Sequence, residues 1–350
     1  MPVPYCFKAL AAIILSLKTY LESLKFSKKE YFQLTYFNKI MENKSVLVLG
    51  AGELGLPVIR NLAQKAKKNN TTITVLLRKA TIESEEFEKK RNIDELKALG
   101  VELLAGDLSA PCSELVSVFK NYDAVVSCTG YGTGAGGFQL KLTRAVLEAG
   151  VKRYFPWQFG VDFEVIGRGS AQDLFDEQLD VRELLRAQIA TKWVIISTGL
   201  FTSYLFEPFF GVVDFDKKVV NALGSLDTAV TVTTPDDIGI LTAEIFFEKP
   251  VIQNSIVYIA GDTITYGELG DVVESLSGQK FERTVSSTEE LANDLKNDPA
   301  NFVYKYRSIF GNGKGVSWDF NTSFNAQKGI KTTSAKAWAK KNIDWSGSKI

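Results

Sequence analysis

The run Val46-Leu47-Val48-Leu49-Gly50-Ala51-Gly52-Glu53-Leu54-Gly55 constrains this chain more than any other stretch. An apolar strand pattern leads into G-x-G-x-x-G, and an amphipathic pattern, Leu56 to Lys67, follows. Each glycine has its own task in such a turn. Gly50 permits a tight exit from the strand, Gly52 lets the backbone approach a pyrophosphate, and Gly55 lets the helix close on the strand. The anion would sit on the free N–H groups of the helix N-terminus, with Glu53 and Leu54 in the same turn. A second apolar strand, Thr71 to Leu77, completes a βαβ unit. A glycine turn in a domain that binds nothing would look alike, so the other strand ends matter.

The end of the second strand speaks to the cofactor. An NAD site places Asp or Glu there, for the ribose hydroxyls. This chain has Arg78-Lys79, and its first acid downstream is Glu83. A carboxylate would repel a 2′-phosphate, whereas a guanidinium binds one bidentately. The two charges could also be solvated surface groups. Their position favours an NADP pocket.

Composition removes several alternatives. The formal net charge is +0 over 350 residues and there is no long basic run, which speaks against nucleic-acid binding through a bulk electrostatic footprint. The histidine count is 0, so Ser-His-Asp and Cys-His machinery and His-ligated zinc or iron are excluded, and no metal is expected. Proton chemistry falls to Lys, Tyr, Asp, Glu, Cys, water or a cofactor. Cys6, Cys112 and Cys128 are too few and scattered for a disulfide framework, which suits a reducing, cytoplasmic setting. Residues 1–40 stand apart. Ala9 to Leu17 is apolar but too short to span a bilayer, and it lacks a clear signal cleavage site. An anchor, a docking helix and an upstream start codon all remain open for this extension. A first domain is expected from 41 to 199, beginning at Met41.

From Ser45 onward strands and helices alternate. Strands are predicted at 45–49, 73–77, 101–105, 123–127, 152–156 and 193–197, and helices at 54–68, 84–98, 111–120, 138–149 and 171–190. Continuous apolar stretches such as Val194-Ile195-Ile196 suit strands buried on both faces. The expected fold class is α/β, a doubly wound parallel Rossmann sheet of strand order 3-2-1-4-5-6. After Gly199 the alternation loosens. Leu200 to Gly211 is aromatic and apolar, Thr231 to Thr234 and Ile256 to Ala260 read as strands, and Pro235 opens a helix running to Phe247. Further helices are predicted over Tyr266 to Leu276 and Glu289 to Lys296. Residues 200–350 are expected to form a smaller substrate domain interleaved with the first.

Ligands of open α/β sheets bind beyond the carboxyl ends of the strands. Those ends carry the glycine turn, Arg78-Lys79, Gly106-Asp107, Cys128-Thr129-Gly130, Pro156-Trp157-Gln158-Phe159-Gly160 and Thr198-Gly199. Asp107 could accept from an adenine amino group. The loop of Thr129 and Gly130 allows a close backbone approach. Each alone is ordinary turn chemistry.

Taken with Gln139, Val151 to Gly160 and Ile238-Gly239, these motifs resemble the NmrA-like atypical short-chain dehydrogenases. The resemblance is strongest to isoflavone reductase-like and phenylcoumaran benzylic ether reductase-like proteins, especially fungal ones, and covers Met41 to the C-terminus. It implies an NADPH-binding Rossmann protein, monomeric or weakly oligomeric. Such a protein reduces an aromatic, quinone-like or conjugated small molecule, or senses the nicotinamide redox state without turnover. Gln139, Pro156 and Gln158 then join the expected cofactor contacts. The resemblance also exposes two departures. Trp157-Gln158 stands where the plant reductases carry Ser-Glu. Gln178 stands where Phe-x-x-Lys-x-x-Val-Arg carries its acid–base lysine, within Phe175 to Arg182. A glutamine amide does not exchange a proton usefully near neutral pH. Gln178 is therefore expected to position rather than protonate, with Lys141, Tyr204, Tyr131 or Asp162 as alternative donors. A transient-hydride isomerase is a further reading. The aromatics from Phe201 to Phe210 could be core or could line a pocket for a flat substrate.

Overall fold

The computed structural model describes residues 44–130 and 136–345. The N-terminal extension, Cys6 and Tyr131 lie outside them. In chain order the first half comprises β1 (Ser45–Leu49), α1 (Gly55–Asn69), β2 (Thr72–Leu77), α2 (Phe87–Ala98), β3 (Glu102–Ala105), α3 (Cys112–Phe119), β4 (Ala124–Ser127), α4 (Phe138–Glu148), β5 (Arg153–Phe155), α5 (Leu174–Arg186) and β6 (Lys192–Ser197). The second half adds β7 (Leu200–Phe201), β8 (Val213–Asp214), β9 (Val219–Leu223), β10 (Ala229–Thr233), α6 (Pro235–Phe247), β11 (Ser255–Tyr258), β12 (Asp262–Thr265), α7 (Tyr266–Ser277), β13 (Glu282–Ser286), α8 (Thr288–Asn297), α9 (Phe302–Asn312) and α10 (Ala335–Asn342).

Seven strands form one parallel sheet in the order β11-β6-β5-β4-β1-β2-β3. The expected order 3-2-1-4-5-6 is present, with one strand added. Ile256 to Ala260 reads from sequence as part of the second domain, but β11 pairs with β6 and closes that side of the sheet. Alternate residues of the central strands feed two cores. Leu47, Leu49, Val125 and Ile195 pack against Leu142 and Val146 of α4 and Leu185 of α5. Val46, Val48, Val126 and Ile196 pack against Ile59 and Leu62 of α1 and Leu241 and Ile245 of α6. This two-sided burial is what the continuous apolar runs require.

Helix α6 lies directly on α1. A Cβ at Gly239 would stand 2.5 Å from the Pro57 carbonyl, so only glycine permits the approach. Its start follows the predicted chemistry: Pro235 opens the helix and the Thr234 hydroxyl accepts from the Asp237 N–H at 3.1 Å. Arg153, fully buried, ties β5 to the end of this helix by donating to the carbonyls of Phe246 at 2.6 Å and Ile252 at 3.0 Å. Burial pushes its pKa down to about 10.

Two small sheets, β12-β10-β7 and β13-β9-β8, build the rest. They enclose a third core with α7, α9 and α10, in which Val220, Val232, Leu269 and Phe310 are buried. The chain enters this region through Gly199 (φ +70°), where a Cβ would lie 2.0 Å from the Thr231 carbonyl oxygen.

Candidate functional site

The β1–α1 turn is held by backbone contact. Gly50 adopts φ +91°, and a Cβ there would meet the Cys128 carbonyl at 3.1 Å. At Gly55 a Cβ would lie 2.4 Å from the Gly50 oxygen, so helix and turn can close only around glycine. Gly52 differs, since a Cβ there would meet nothing within 4 Å. No side chain caps α1 and no acid stands in its first turn. The turn thus presents open backbone and a helix N-terminus, the arrangement an anion such as a pyrophosphate needs. These features fit a dinucleotide.

The next strand ends complete the cleft unevenly. Arg78 follows β2 and is exposed, its charge felt by the Asp107 carboxylate across the cleft rim. Its neighbour Lys79 is exposed and only loosely paired with Glu83 at 3.7 Å. Asp107 is exposed and already partly engaged, with acceptor sites to spare. Its carboxylate accepts from the Ser109 N–H at 2.8 Å and the Ser109 hydroxyl at 2.7 Å. Those bonds hold its pKa below the usual aspartate value. Gln139 is buried behind the β4 loop, donating from Nε2 to Thr129 Oγ1 at 3.1 Å and to the Gly130 carbonyl at 2.9 Å. It shapes the loop, and its own Oε1 is buried without a partner. Pro156 is buried at the end of β5.

Beside the turn lies a cavity of about 390 Å³. Gly52, Glu53, Leu54, Thr129 and Gly130 form its cleft side, Trp157, Gln158 and Phe159 continue it from β5, and Phe201, Tyr204, Phe209 and Phe210 follow β6. The stretch after Gly199 therefore serves both as core and as lining: Phe210 is buried, while Phe209 is half exposed at 51%. Helix α9 supplies the remaining wall with Phe302, Val303, Tyr306 and Phe310. This helix escapes the sequence reading, although Phe302, Tyr306 and Phe310 recur at i, i+4 and i+8, a legible aromatic stripe. Edge-on contacts lock the wall, with Tyr204 against Phe201 at 5.9 Å and Phe209 at 5.5 Å, and Phe175 against Tyr306 at 6.0 Å.

The candidate proton donors separate. Tyr204 lines the cavity. Burial, and then the charges of Glu53 and Glu207, raise its hydroxyl pKa above the ordinary value. Lys141 does not reach the cavity. Its ammonium is tied to the carbonyls of Leu108, Ser109 and Ala110 at 2.8, 3.0 and 3.2 Å, because α4 faces the β3–α3 connection there. Asp162 is also outside the lining, accepting from the Tyr258 hydroxyl at 2.6 Å and from the Glu164 N–H at 3.1 Å.

Gln178 stands behind the lining, 2% exposed, with Oε1 unpartnered. Its carbonyl accepts from Gln158 Nε2 at 2.8 Å, and Gln158 Oε1 accepts from Arg182 Nε at 2.7 Å. Arg182 is buried too, its pKa lowered by desolvation against the opposing pull of Glu164 and Asp162. The pair Gln158–Arg182 thus fixes which way the lining amide faces.

A parallel sheet with an open glycine turn at its switch point, facing a mostly aromatic cavity, defines the class: an α/β protein of the dinucleotide-binding type. The chain belongs to the NmrA-like family, whose model matches residues 42–339. It is 46% identical over 297 residues to an NmrA-like family domain-containing oxidoreductase of Gibberella moniliformis, covering 85% of this chain and 97% of that one. Among solved structures it resembles an isoflavone reductase, with TM-score 0.70, 23% identity and coverage of 86% and 99% of the two chains. It also resembles AtPrR2 with NADP+ and (+)pinoresinol, with TM-score 0.69, 23% identity and the same coverage. Among the described residues no helix is long and apolar enough to cross a membrane.

Proposed function

We propose that the protein is an NADPH-dependent reductase of a small aromatic, quinone-like or conjugated molecule. The observation that carries this reading is the continuity of the Gly52 turn with the aromatic cavity. Both are lining of one space, so a dinucleotide on the turn and a flat molecule among the rings would meet. The named activity of the Gibberella relative supports it. So does the NADP+ and (+)pinoresinol complex of the structural neighbour.

In this reading Gly50, Gly52, Glu53, Leu54 and Gly55 hold the pyrophosphate by backbone. Arg78 and Lys79 take the 2′-phosphate, while Thr129, Gly130 and Gln158 border the nicotinamide side, with Gln139 bracing from behind. Bound there, NADPH supplies hydride. The chain's own residues orient the acceptor, exclude water and hold its ring between aromatic faces.

A second reading, an NADP-binding regulator without turnover, gains weight from Gln178, an amide where resembling reductases have lysine. Calorimetric titration with NADPH and NADH, followed by NADPH oxidation across aromatic and quinone acceptors, separates the two. Tight NADPH binding with turnover is the expected result. Tight binding with none would favour the regulator, and equal affinity for NADPH and NADH would overturn the NADP assignment.

A further inference from the structure

The side-chain amide of Gln158 is held at both ends. Its Oε1 accepts from Arg182 Nε at 2.7 Å, and its Nε2 donates to the Gln178 carbonyl at 2.8 Å. A guanidinium only donates and a backbone carbonyl only accepts. Chemistry alone therefore fixes which end of the amide is oxygen and which is nitrogen. Nε2 carries two N–H groups, and the Gln178 carbonyl takes one. The other has no acceptor among the described residues. Gln158 is fully buried and borders the cavity. A buried donor left unpaired is costly, so a ligand in the cavity is where its acceptor belongs.

Arg182 sharpens that donor. It is fully buried, and its Nη1 and Nη2 have no hydrogen-bond partner. Asp162 and Glu164 each stand 3.8 Å from Nη1, beyond hydrogen-bond reach, and the Phe163 ring lies 5.2 Å from the guanidinium carbon. Among the described residues the one hydrogen bond that this guanidinium makes goes to Gln158. A cation on the amide oxygen draws electrons from the nitrogen and strengthens the N–H as a donor. The amide is thereby committed, with oxygen turned to the charge and nitrogen left to donate.

We propose that the spare N–H of Gln158 binds the carbonyl oxygen of the hydride acceptor, with Arg182 as the positioning residue behind it. This rests on the reductase reading above, in which Gln158 borders the nicotinamide side. Hydride forms a C–H bond at the conjugated carbon of the acceptor, and the C–H bond at the nicotinamide breaks to leave NADP+. The displaced π electrons move to the carbonyl oxygen. A donor already fixed there meets the negative charge as it grows, which is when a hydrogen bond accelerates a reaction. The resulting enolate takes one proton from water. A glutamine suits this task because it donates a hydrogen bond without giving its proton away.

The test has a kinetic arm and a spectroscopic arm, both on the full chain with benzylideneacetone, an aromatic conjugated ketone. Gln158→Glu keeps an acceptor for Arg182 but has no spare N–H. Its kcat should fall about 10²- to 10³-fold, as loss of one oxyanion donor does, while KM, the calorimetric Kd for NADPH and the melting temperature hold. Arg182→Met frees the amide to turn and should lose part of the same kcat. Arg182→Lys keeps a charged donor and should recover some of it. In the unmodified protein with NADP+, the infrared C=O stretch of bound benzylideneacetone should lie at lower wavenumber than in hexane, and Gln158→Glu should abolish that downshift. An unchanged kcat in Gln158→Glu, a loss carried by the NADPH Kd alone, or a downshift that survives this substitution overturns the inference and leaves the reductase reading standing. So does a stretch as high on the unmodified protein as in hexane, which decides the matter even where a variant fails to fold. A downshift that Gln158→Glu abolishes, with no turnover of this ketone or of any aromatic or quinone acceptor, supports the donor and overturns the reductase reading.

Discussion

The glycine turn and the aromatic cavity share Gly52, Glu53 and Leu54, yet they are made of different material. The turn is backbone against backbone, and a Cβ would stand 3.1 Å from the Cys128 oxygen at Gly50 and 2.4 Å from the Gly50 oxygen at Gly55. The cavity is side chain against side chain. It draws on segments as far apart as Trp157, Phe201 and Tyr306, and its Phe209 and Phe302 are half-exposed. A backbone site accepts almost no substitution and keeps one ligand chemistry. A side-chain site can change its occupant one ring at a time. A fixed cofactor site beside an adjustable substrate site is what that division of labour would allow.

The largest effect that could break this contrast is at the turn. Gly55→Ala drives a Cβ to 2.4 Å from the Gly50 oxygen. It should cost about 3 kcal/mol, the upper part of the overpacking range, and NADPH binding should go with it. Gly52→Ala meets no protein atom, so its melting temperature should hold while NADPH affinity falls at least about tenfold, worth about 1.4 kcal/mol. Parallel thermal scans and calorimetry of the two variants check this. Unchanged NADPH affinity in Gly52→Ala would show that the open space at Gly52 is not the ligand's.

Next in size is Arg78→Glu. Losing a charged hydrogen-bond pair and adding repulsion should cost about 1.5–3 kcal/mol in NADPH binding and leave NADH little changed. Competitive titration of the two dinucleotides reads the ratio directly. Behind the cavity, Gln178→Met removes a buried, unpartnered carbonyl oxygen but keeps the backbone oxygen that Gln158 uses. Chemical denaturation should show stability raised by about 1 kcal/mol. A loss instead would mean that the amide has a structural partner. Tyr204→Phe is expected to be the mildest. A general acid contributes about 10²–10⁴ in rate, so a loss of less than threefold in kcat would remove this hydroxyl from proton delivery.

Legibility divided along the same line. The glycine turn, the strand order through β6 and the place of Arg78 directly after β2 are legible because a βαβ unit imposes local spacing on sequence. Near-continuous apolar strands need only one dimension to be recognised. Lys141 misleads for a related reason. Position beside the strand ends says that a side chain is near the cleft, not that its hydrogen bonds are free, and the Lys141 ammonium spends its three donors on the β3–α3 connection. Helix α9 was missed although its stripe of aromatics was visible, because a stripe does not say what it faces. The place of β11 was hidden because its partner β6 lies across the whole intervening β7–α6 segment, and pairing over such a distance leaves no local signature.

That seventh strand has a consequence for recombining these proteins. A single crossover after Gly199 looks like a clean exchange of cavities. It would also exchange α6, which lies on α1, and β11, which covers β6. The recipient's sheet would inherit a foreign border, or an uncovered strand inviting another molecule to pair with it. A productive graft has two inserts, 200–234 and 262–345, around a retained 235–261. In this chain the unit of exchange is interrupted.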